Sequence, residues 1–332
     1  MNVGRKLNQR ARDCFVDAQR RVDALRLKTV AFDCGAKVLD FGIDTPGGLD
    51  AGLQMAAICM AGQAEITLSS GDRSVWPGAW VQVVTDHPVA ACMLSQCAGW
   101  PVKHEKFFAM GSGPMRLCRG REELLQELVA SDQTGLAVGT LECDRLPSDE
   151  TLEMMAHECG VPASELYLAI APTRSIAGCV QVVARSVETC LHKLHTLGFE
   201  LSAVHSAQGW APVPPPTPDF GAGIGRTNDA ILYGGQVSLW VDADDEQLVA
   251  VGEQLPSCAS PDFGSPFAET FKAAGYDFYK IDPGLFSPAE ITMMNIRSGR
   301  SWRFGALRGD LVAQSFATQS FETESRTPPT QQ

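Results

Sequence analysis

The stretch SELYLAIAPTRSIAGCVQVVARSVETCLHKLH, residues 164–195, constrains the fold more than any other part of this chain. Ile176, Val180, Val183, Val187, Cys190 and Leu194 recur at three- and four-residue steps, which predicts a helix over 175–195 with one apolar side. Gln181, Arg185, Glu188, His192 and His195 repeat at the same spacing on the other side. The run SELYLAIAP before it is apolar enough for a central strand. A strand passing through a short turn into such a helix puts the helix's first polar residues where they can line a cleft.

The remaining segments mix strands and helices without a strict βαβ rhythm, so the expected fold class is α+β rather than a doubly wound sheet. The first segment reads as helical to about Arg26. KTVAFDCGAKVLDFGID and AEITLSSGDRSVWPGAWVQVVTD read as strand pairs, PGGLDAGLQMAAICMAG as a Gly-rich turn opening a helix, and HPVAACMLSQCAG as a short buried helix. Ser148 is an expected N-cap and Gly160 an expected C-terminal stop for the helix between them. APVPPPTPDF cannot sustain helix or sheet and reads as an extended linker. GAGIGR after it reads as a loop, DAILYGGQVSLWVDA as two strands about Gly234 and Gly235, and EITMMNIRSGRSWRFG as a hairpin around Ser298 and Gly299. At 332 residues the chain is long for one core, so two domains are expected, over residues 1–163 and 164–310, followed by a polar tail over 311–332 expected to be disordered.

Charge narrows the function. The formal net charge is −12, which disfavours nucleic acid and anionic membrane surfaces as partners, since both require a basic face. No stretch reaches the roughly 18 apolar residues of a membrane span, and the amphipathic start lacks the apolar core of a secretory signal. The expected location is the cytoplasm. Eleven cysteines with no CxxC pair fit small buried residues better than a disulfide framework or a thiolate zinc site.

Three constellations carry possible chemistry. GSGPMR and GAGIGR present glycines beside an arginine, as phosphate-binding loops do, yet neither has the dinucleotide spacing and no Walker A motif occurs. Glu188, His192 and His195 share a helix face and are legitimate metal ligands, although they do not form HExxH. Arg185 and Glu188, at i and i+3, are neighbours; on a solvated surface that pair is worth under about 0.5 kcal/mol, whereas at the edge of a cleft it can serve catalysis.

The residues around this pair are familiar as a set. APTRSIAGCVQVVARSVETCLHKLHTLGF resembles the signature segment of the methenyltetrahydromethanopterin cyclohydrolases. PGGLDAGLQMAAICMAG, TDHPVAACMLSQCAGW, AMGSGPMR, IGRTNDAILYGG and DFYKIDPGLFSPAEITMMN are similar to further blocks of that family, in its order, over roughly residues 5 to 305. Cys97 is a departure, at a position where an aromatic is common. The resemblance implies two α+β domains with the substrate cleft between them, a homotrimer, and no metal or redox cofactor. It also implies reversible hydrolysis of the methenyl bridge of a reduced pterin one-carbon carrier to the formyl derivative. That is a step of one-carbon metabolism found in methanogenesis and in methylotrophic formaldehyde oxidation. By the same resemblance the catalytic Arg and Glu fall on Arg185 and Glu188.

A methenyl carbon between two nitrogens is already electrophilic, so the limiting factor is the weak nucleophilicity of water. Glu188 is the expected general base and Arg185 its electrostatic partner. Stronger pairing makes Glu188 a weaker base, so burial or partial disengagement must offset it. Candidate substrate-binding residues are Ser112, Gly113 and Arg116 in AMGSGPMR, Arg226, Thr227, Asn228 and Asp229 in IGRTNDA, and Tyr279 and Lys280 in DFYKID. Two other readings stand beside this one: a non-catalytic reduced-pterin-binding protein, and a metal-dependent amidine hydrolase using Glu188, His192 and His195. A folate-specific cyclohydrolase is disfavoured, because it would call for a dinucleotide-type domain.

Overall fold

The computed structural model describes residues 6–128 and 131–317. Among them the strands are β1 (Lys28–Val30), β2 (Lys37–Asp40), β3 (Glu65–Ser70), β4 (Ala79–Thr85), β5 (Trp100–His104), β6 (Phe107–Ser112), β7 (Ala137–Glu142), β8 (Leu166–Ala171), β9 (Val204–Pro212), β10 (Gln236–Val241), β11 (Glu290–Asn295) and β12 (Ser301–Gly305). They form two six-stranded sheets, ordered β1-β2-β8-β7-β6-β5 and β12-β11-β10-β9-β4-β3. Both sheets are mixed: β2, β8 and β7 run parallel in the first, β10 and β11 in the second, and the remaining pairs are antiparallel. The class is therefore α+β.

Alternation along β8 shows how the layers are built. Leu168 and Ile170 point to one face, where the Asp149–Cys159 helix covers them with Leu152, Met155, Ala156 and Cys159. Ala169 and Ala171 point to the other face, against Ala51, Met55 and Ile58 of the Leu49–Cys59 helix and Ala177 of the Ile176–Val183 helix. The same inner layer meets the second sheet through Val180, Val183, Val187, Cys190 and Leu194, packed with Val81, Val83, Ala207, Val237 and Leu239. Apolar faces at period 2 on strands and near 3.6 on helices thus close into three linked cores. No helix among the described residues is long and apolar enough to cross a membrane.

Local expectations hold where one residue type decides the backbone. Ser148 accepts a hydrogen bond from the Thr151 amide, and Gly160 ends that helix at φ 66°. The first helix runs Leu7–Arg20, and a short turn, Val22–Leu25, continues it before Arg26 at φ 55°. The hairpin about Ser298 and Gly299 joins β11 to β12.

Elsewhere packing overrides the local reading. GAGIGR is not a loop, and DAIL is not a strand: both lie in the helix Phe220–Leu232, capped by the Asp219 carboxylate accepting from the Ala222 amide. The glycines permit close approach: a Cβ on Gly223 would come within 2.7 Å of the Arg174 Cβ, and one on Gly225 within 2.8 Å of the Ala268 Cβ. Their low helix propensity is a weak preference beside that packing. The predicted helix over 175–195 is two helices, Ile176–Val183 and Ser186–Thr196, interrupted at Ala184–Arg185. Its expected polar stripe is not solvated, since Gln181, Arg185 and Glu188 are all buried. The sheets also do not follow a cut at residue 163, because β3 and β4 lie in the second sheet and β8 in the first. The tail expected from 311 instead begins as a helix, Gly309–Ser315, which buries Leu311 and Val312. Phe316 follows it edge-on to Trp76 at 5.0 Å; residues 318–332 lie outside the described residues.

The contact between the Leu49–Cys59 and Ile176–Val183 helices depends on Gly52, where a Cβ would fall 2.5 Å from the Val180 Cβ and 2.9 Å from the Ala177 carbonyl oxygen. Gly52→Ala is expected to destabilise the protein by about 1–3 kcal/mol, as overpacking does. Urea unfolding will show this as a lower midpoint; an unchanged midpoint would mean that the helices separate freely.

Candidate active site

β6 and β7 pair so that Ser112 lies opposite Thr140 and Met110 opposite Glu142. This register brings the Ser112 and Thr140 hydroxyls to 2.7 Å and leaves Glu142 at the last position of β7. The interruption between the two inner helices aims Arg185 at the same strand ends. Its Nη1 donates to the Gln96 carbonyl oxygen at 2.6 Å, and its Nη2 donates to Ser112 Oγ at 2.8 Å and to Glu142 Oε1 at 2.9 Å. Glu188, one turn on, stands 3.9 Å from Arg185 Nη1. The side chains of Arg185, Glu188 and Glu142 are 6%, 7% and 15% exposed.

Burial works against the Arg185 charge, but Glu142 first, then the Cys59 sulfur and Glu188, hold its pKa above the ordinary arginine value. Among the described residues, none donates a hydrogen bond to the Glu188 carboxylate. Gln96 Oε1, Gln181 Oε1 and Arg185 Nε are likewise buried without a partner among those residues. All three belong to side chains within one polar cluster: Gln96 Nε2 donates to the Ala184 carbonyl oxygen at 3.2 Å, and Gln181 Nε2 lies 3.9 Å from Cys59 Sγ, itself 3.4 Å from Ser112 Oγ. A buried polar group left unsatisfied costs about 1–3 kcal/mol. Three such atoms lie together in this one cluster.

Gln96 comes from a π-helical segment, Val89–Gln96, a geometry frequent at functional sites. Arg116 anchors it from behind: fully buried, it is ion-paired with Glu122 and donates to the Met93 and Ser95 carbonyl oxygens, both at 3.3 Å. The Gly113 amide donates to the Ser95 carbonyl oxygen at 2.8 Å. Gly113 also takes φ 95°, and a Cβ there would meet the Gly139 Cα at 2.9 Å. Gly113 and Arg116 thus brace the segment, and of the AMGSGPMR candidates only Ser112 touches Arg185.

The candidates in IGRTNDA are occupied by fold contacts. Arg226 donates to the Ser315 and Pro215 carbonyl oxygens, Thr227 to those of Gly223 and Ile224, and Asn228 to that of Ile224. Asp229 accepts from the Phe267 amide at 2.8 Å and from Ser315 Oγ at 2.6 Å. Tyr279, 91% exposed, and the exposed Lys280 lie on the turn Phe278–Lys280. Glu188, His192 and His195 are not gathered: His192 is exposed, His195 Nε2 pairs with Glu127 at 2.7 Å, and no group of three or more His, Cys, Asp or Glu among the described residues is placed to share a metal ion. Sequence reasoning missed Glu142 and Gln96. The only signal for Glu142 is a carboxylate closing an apolar strand, TGLAVGTLEC, and no spacing rule links it to Arg185, 43 residues away.

Comparison with known proteins covers nearly the whole chain. A family model described as Cyclohydrolase (MCH) matches residues 6–316. The chain is 47% identical over 315 residues to the methenyltetrahydromethanopterin cyclohydrolase of Rhodopirellula baltica, covering 93% of this chain and 94% of that protein. It is 48% identical over 295 residues to the protein of that name from Methylobacillus flagellatus, covering 88% and 90%. With the one from Methanocorpusculum labreanum the identity is 39% over 311 residues, covering 93% and 98%.

Away from the cluster, burial pushes the Asp229 carboxyl up to about 7, against the lowering effect of its Ser315 and Phe267 donors. A raised folded-state value means that the unfolded chain, at about 3.9, releases its proton first. Stability from this group is therefore full below about pH 4 and falls as the pH rises to about 7. Asp229→Asn keeps an acceptor for the Phe267 amide and removes the titration. Its melting temperature is expected to match wild type near pH 4 and to exceed it at pH 7 and above, by on the order of a few kcal/mol of stability. Thermal melts across that window check this, and parallel curves would refute it.

Proposed function

The chain belongs to the methenyltetrahydromethanopterin cyclohydrolase family, and on that premise we propose that it hydrolyses the methenyl bridge of a tetrahydromethanopterin-type carrier to the formyl derivative, with Glu188 as general base. The observation that carries this reading is the state of Glu188. It is a buried carboxylate next to a guanidinium, yet without a hydrogen-bond donor among the described residues, so its lone pairs are available to water.

In this mechanism a water adds to the methenyl carbon while Glu188 takes one of its protons, a contribution of typically 10²–10⁴-fold. The carbon–nitrogen bond then breaks as Glu188 returns that proton to the departing nitrogen. The remaining hydroxyl proton passes to solvent, leaving a formyl group on the other ring nitrogen. One proton is released per turnover, which balances the positive charge of the methenyl substrate. Arg185 offers donors toward the attacking oxygen, and with Glu142 and Glu188 ionised the trio carries a net charge of about −1, complementary to a cationic substrate. The reading assigns no metal or redox cofactor, and it includes a cytoplasmic homotrimer, an assembly that sedimentation equilibrium will show as three times the 35.7 kDa chain mass.

The deciding assay follows the loss of methenyl-pterin absorbance with chelator-treated protein. Wild type is expected to turn over, and Glu188→Gln to lose 10²-fold or more in kcat while still binding substrate. Near-normal kcat in that variant would remove Glu188 as the base. Binding without turnover by wild type would reassign the protein to pterin binding, and loss of activity on chelation would favour a metal-dependent hydrolase.

A further inference from the structure

Glu142 has no role in the mechanism above beyond its charge, yet it makes the closest ion pair in the cluster. Its Oε1 accepts from Arg185 Nη2 at 2.9 Å, while Glu188 lies at 3.9 Å, outside hydrogen-bonding distance. Three of the five guanidinium N–H groups are held by Gln96, Ser112 and Glu142. Glu142 is itself held by its strand, paired with Met110 on one side and Ala171 on the other. Arg185 therefore has a rigid carboxylate partner other than the proposed base.

We propose that Glu142 is a positioning residue for the hydrolysis: it takes up the charge and a hydrogen bond of Arg185, and so leaves Glu188 near the guanidinium but not bonded to it. This rests on the reading of Glu188 as the base. It resolves the conflict between a cation that orients the base and the same cation suppressing its basicity. A carboxylate bonded directly to Arg185 would stay ionised and be a poor proton acceptor.

The other groups facing the pair leave little room for a competing source of charge. Burial raises the thiols of Cys92, in the π-helical segment, and of Cys97, just after it, the latter to about 12. Cys190, on the Ser186–Thr196 helix, is likewise raised by burial. Arg116 is neutralised by its contact with Glu122. Glu142 and Glu188 are therefore the carboxylates that face Arg185.

The test is the pH dependence of kcat in Glu142→Gln, which keeps the side chain's shape and an acceptor for Arg185 but removes its charge. With that charge gone, Arg185 turns more strongly on Glu188. The acid limb of the kcat profile is then expected to move to lower pH by about one unit or more, and the plateau to fall several-fold. Glu142→Asp, which retains the charge one methylene further back, is expected to lie between Gln and wild type. The same shift is expected in an infrared titration of the carboxyl band that Glu188→Gln abolishes, a readout that needs no turnover. A merely structural role would lower kcat or the melting temperature and leave both titrations in place. Unmoved titrations in the Gln variant, or in the Asp variant should the Gln variant not fold, overturn the proposal. Failure of the underlying reading is seen separately, as turnover surviving in Glu188→Gln.

Discussion

The buried charge of Arg185 organises this molecule. A guanidinium taken out of water is tolerated only where its donors are met and its charge opposed. Here the partners come from a π-helical carbonyl, the end of β6 and the end of β7. These elements converge on the break between two inner helices, so the ion pair also ties the first sheet to the layer it shares with the second. Arg116 repeats the arrangement one layer behind, pairing with Glu122 and holding the carbonyls of Met93 and Ser95. The segment that presents Gln96 is fixed from both sides by buried arginines.

That arrangement requires close packing of unusually small surfaces. Gly52 lets the Leu49–Cys59 helix lie against Val180 and Ala177, and Gly223 lets the Phe220–Leu232 helix lie against Arg174. The helix bearing Gln181 is buried along nearly its whole length. A polar residue kept there carries a desolvation cost, and Gln96, Gln181 and Arg185 each keep a buried atom without a partner among the described residues. The same logic separates working polar residues from structural ones. Thr227, Asn228 and Asp229 are polar and largely enclosed, but their donors and acceptors are occupied by neighbouring turns and by the Gly309–Ser315 helix.

The chemistry proposed for the family's reaction asks little of the protein beyond placement. The methenyl carbon brings its own electrophilicity, and the site contributes a base and a local excess of negative charge. Two carboxylates around one guanidinium supply both. They stand at unequal distances from it, 2.9 Å for Glu142 and 3.9 Å for Glu188, and the proposed mechanism uses that difference to separate holding the cation from accepting the proton.

Much of the secondary structure and one half of the candidate site were legible from sequence. The Ser148 cap, the Gly160 stop, the apolar run of β8 and the i, i+3 spacing of Arg185 and Glu188 are local facts, governed by steric and hydrogen-bonding rules that act within a few residues. The resemblance to a known family extended that reading to the reaction. Other features depended on contacts between distant residues. Helical glycines in GAGIGR, an ordered helix after residue 308, the break at Ala184–Arg185 and the crossing of β3, β4 and β8 between sheets all follow from packing that local propensity is too weak to oppose. The third member of the charged trio belongs with them. Glu142 reaches Arg185 because β7 is registered between β6 and β8. Strand register is set by the whole sheet, so only the tertiary structure decided which carboxylate the arginine holds and which it leaves free.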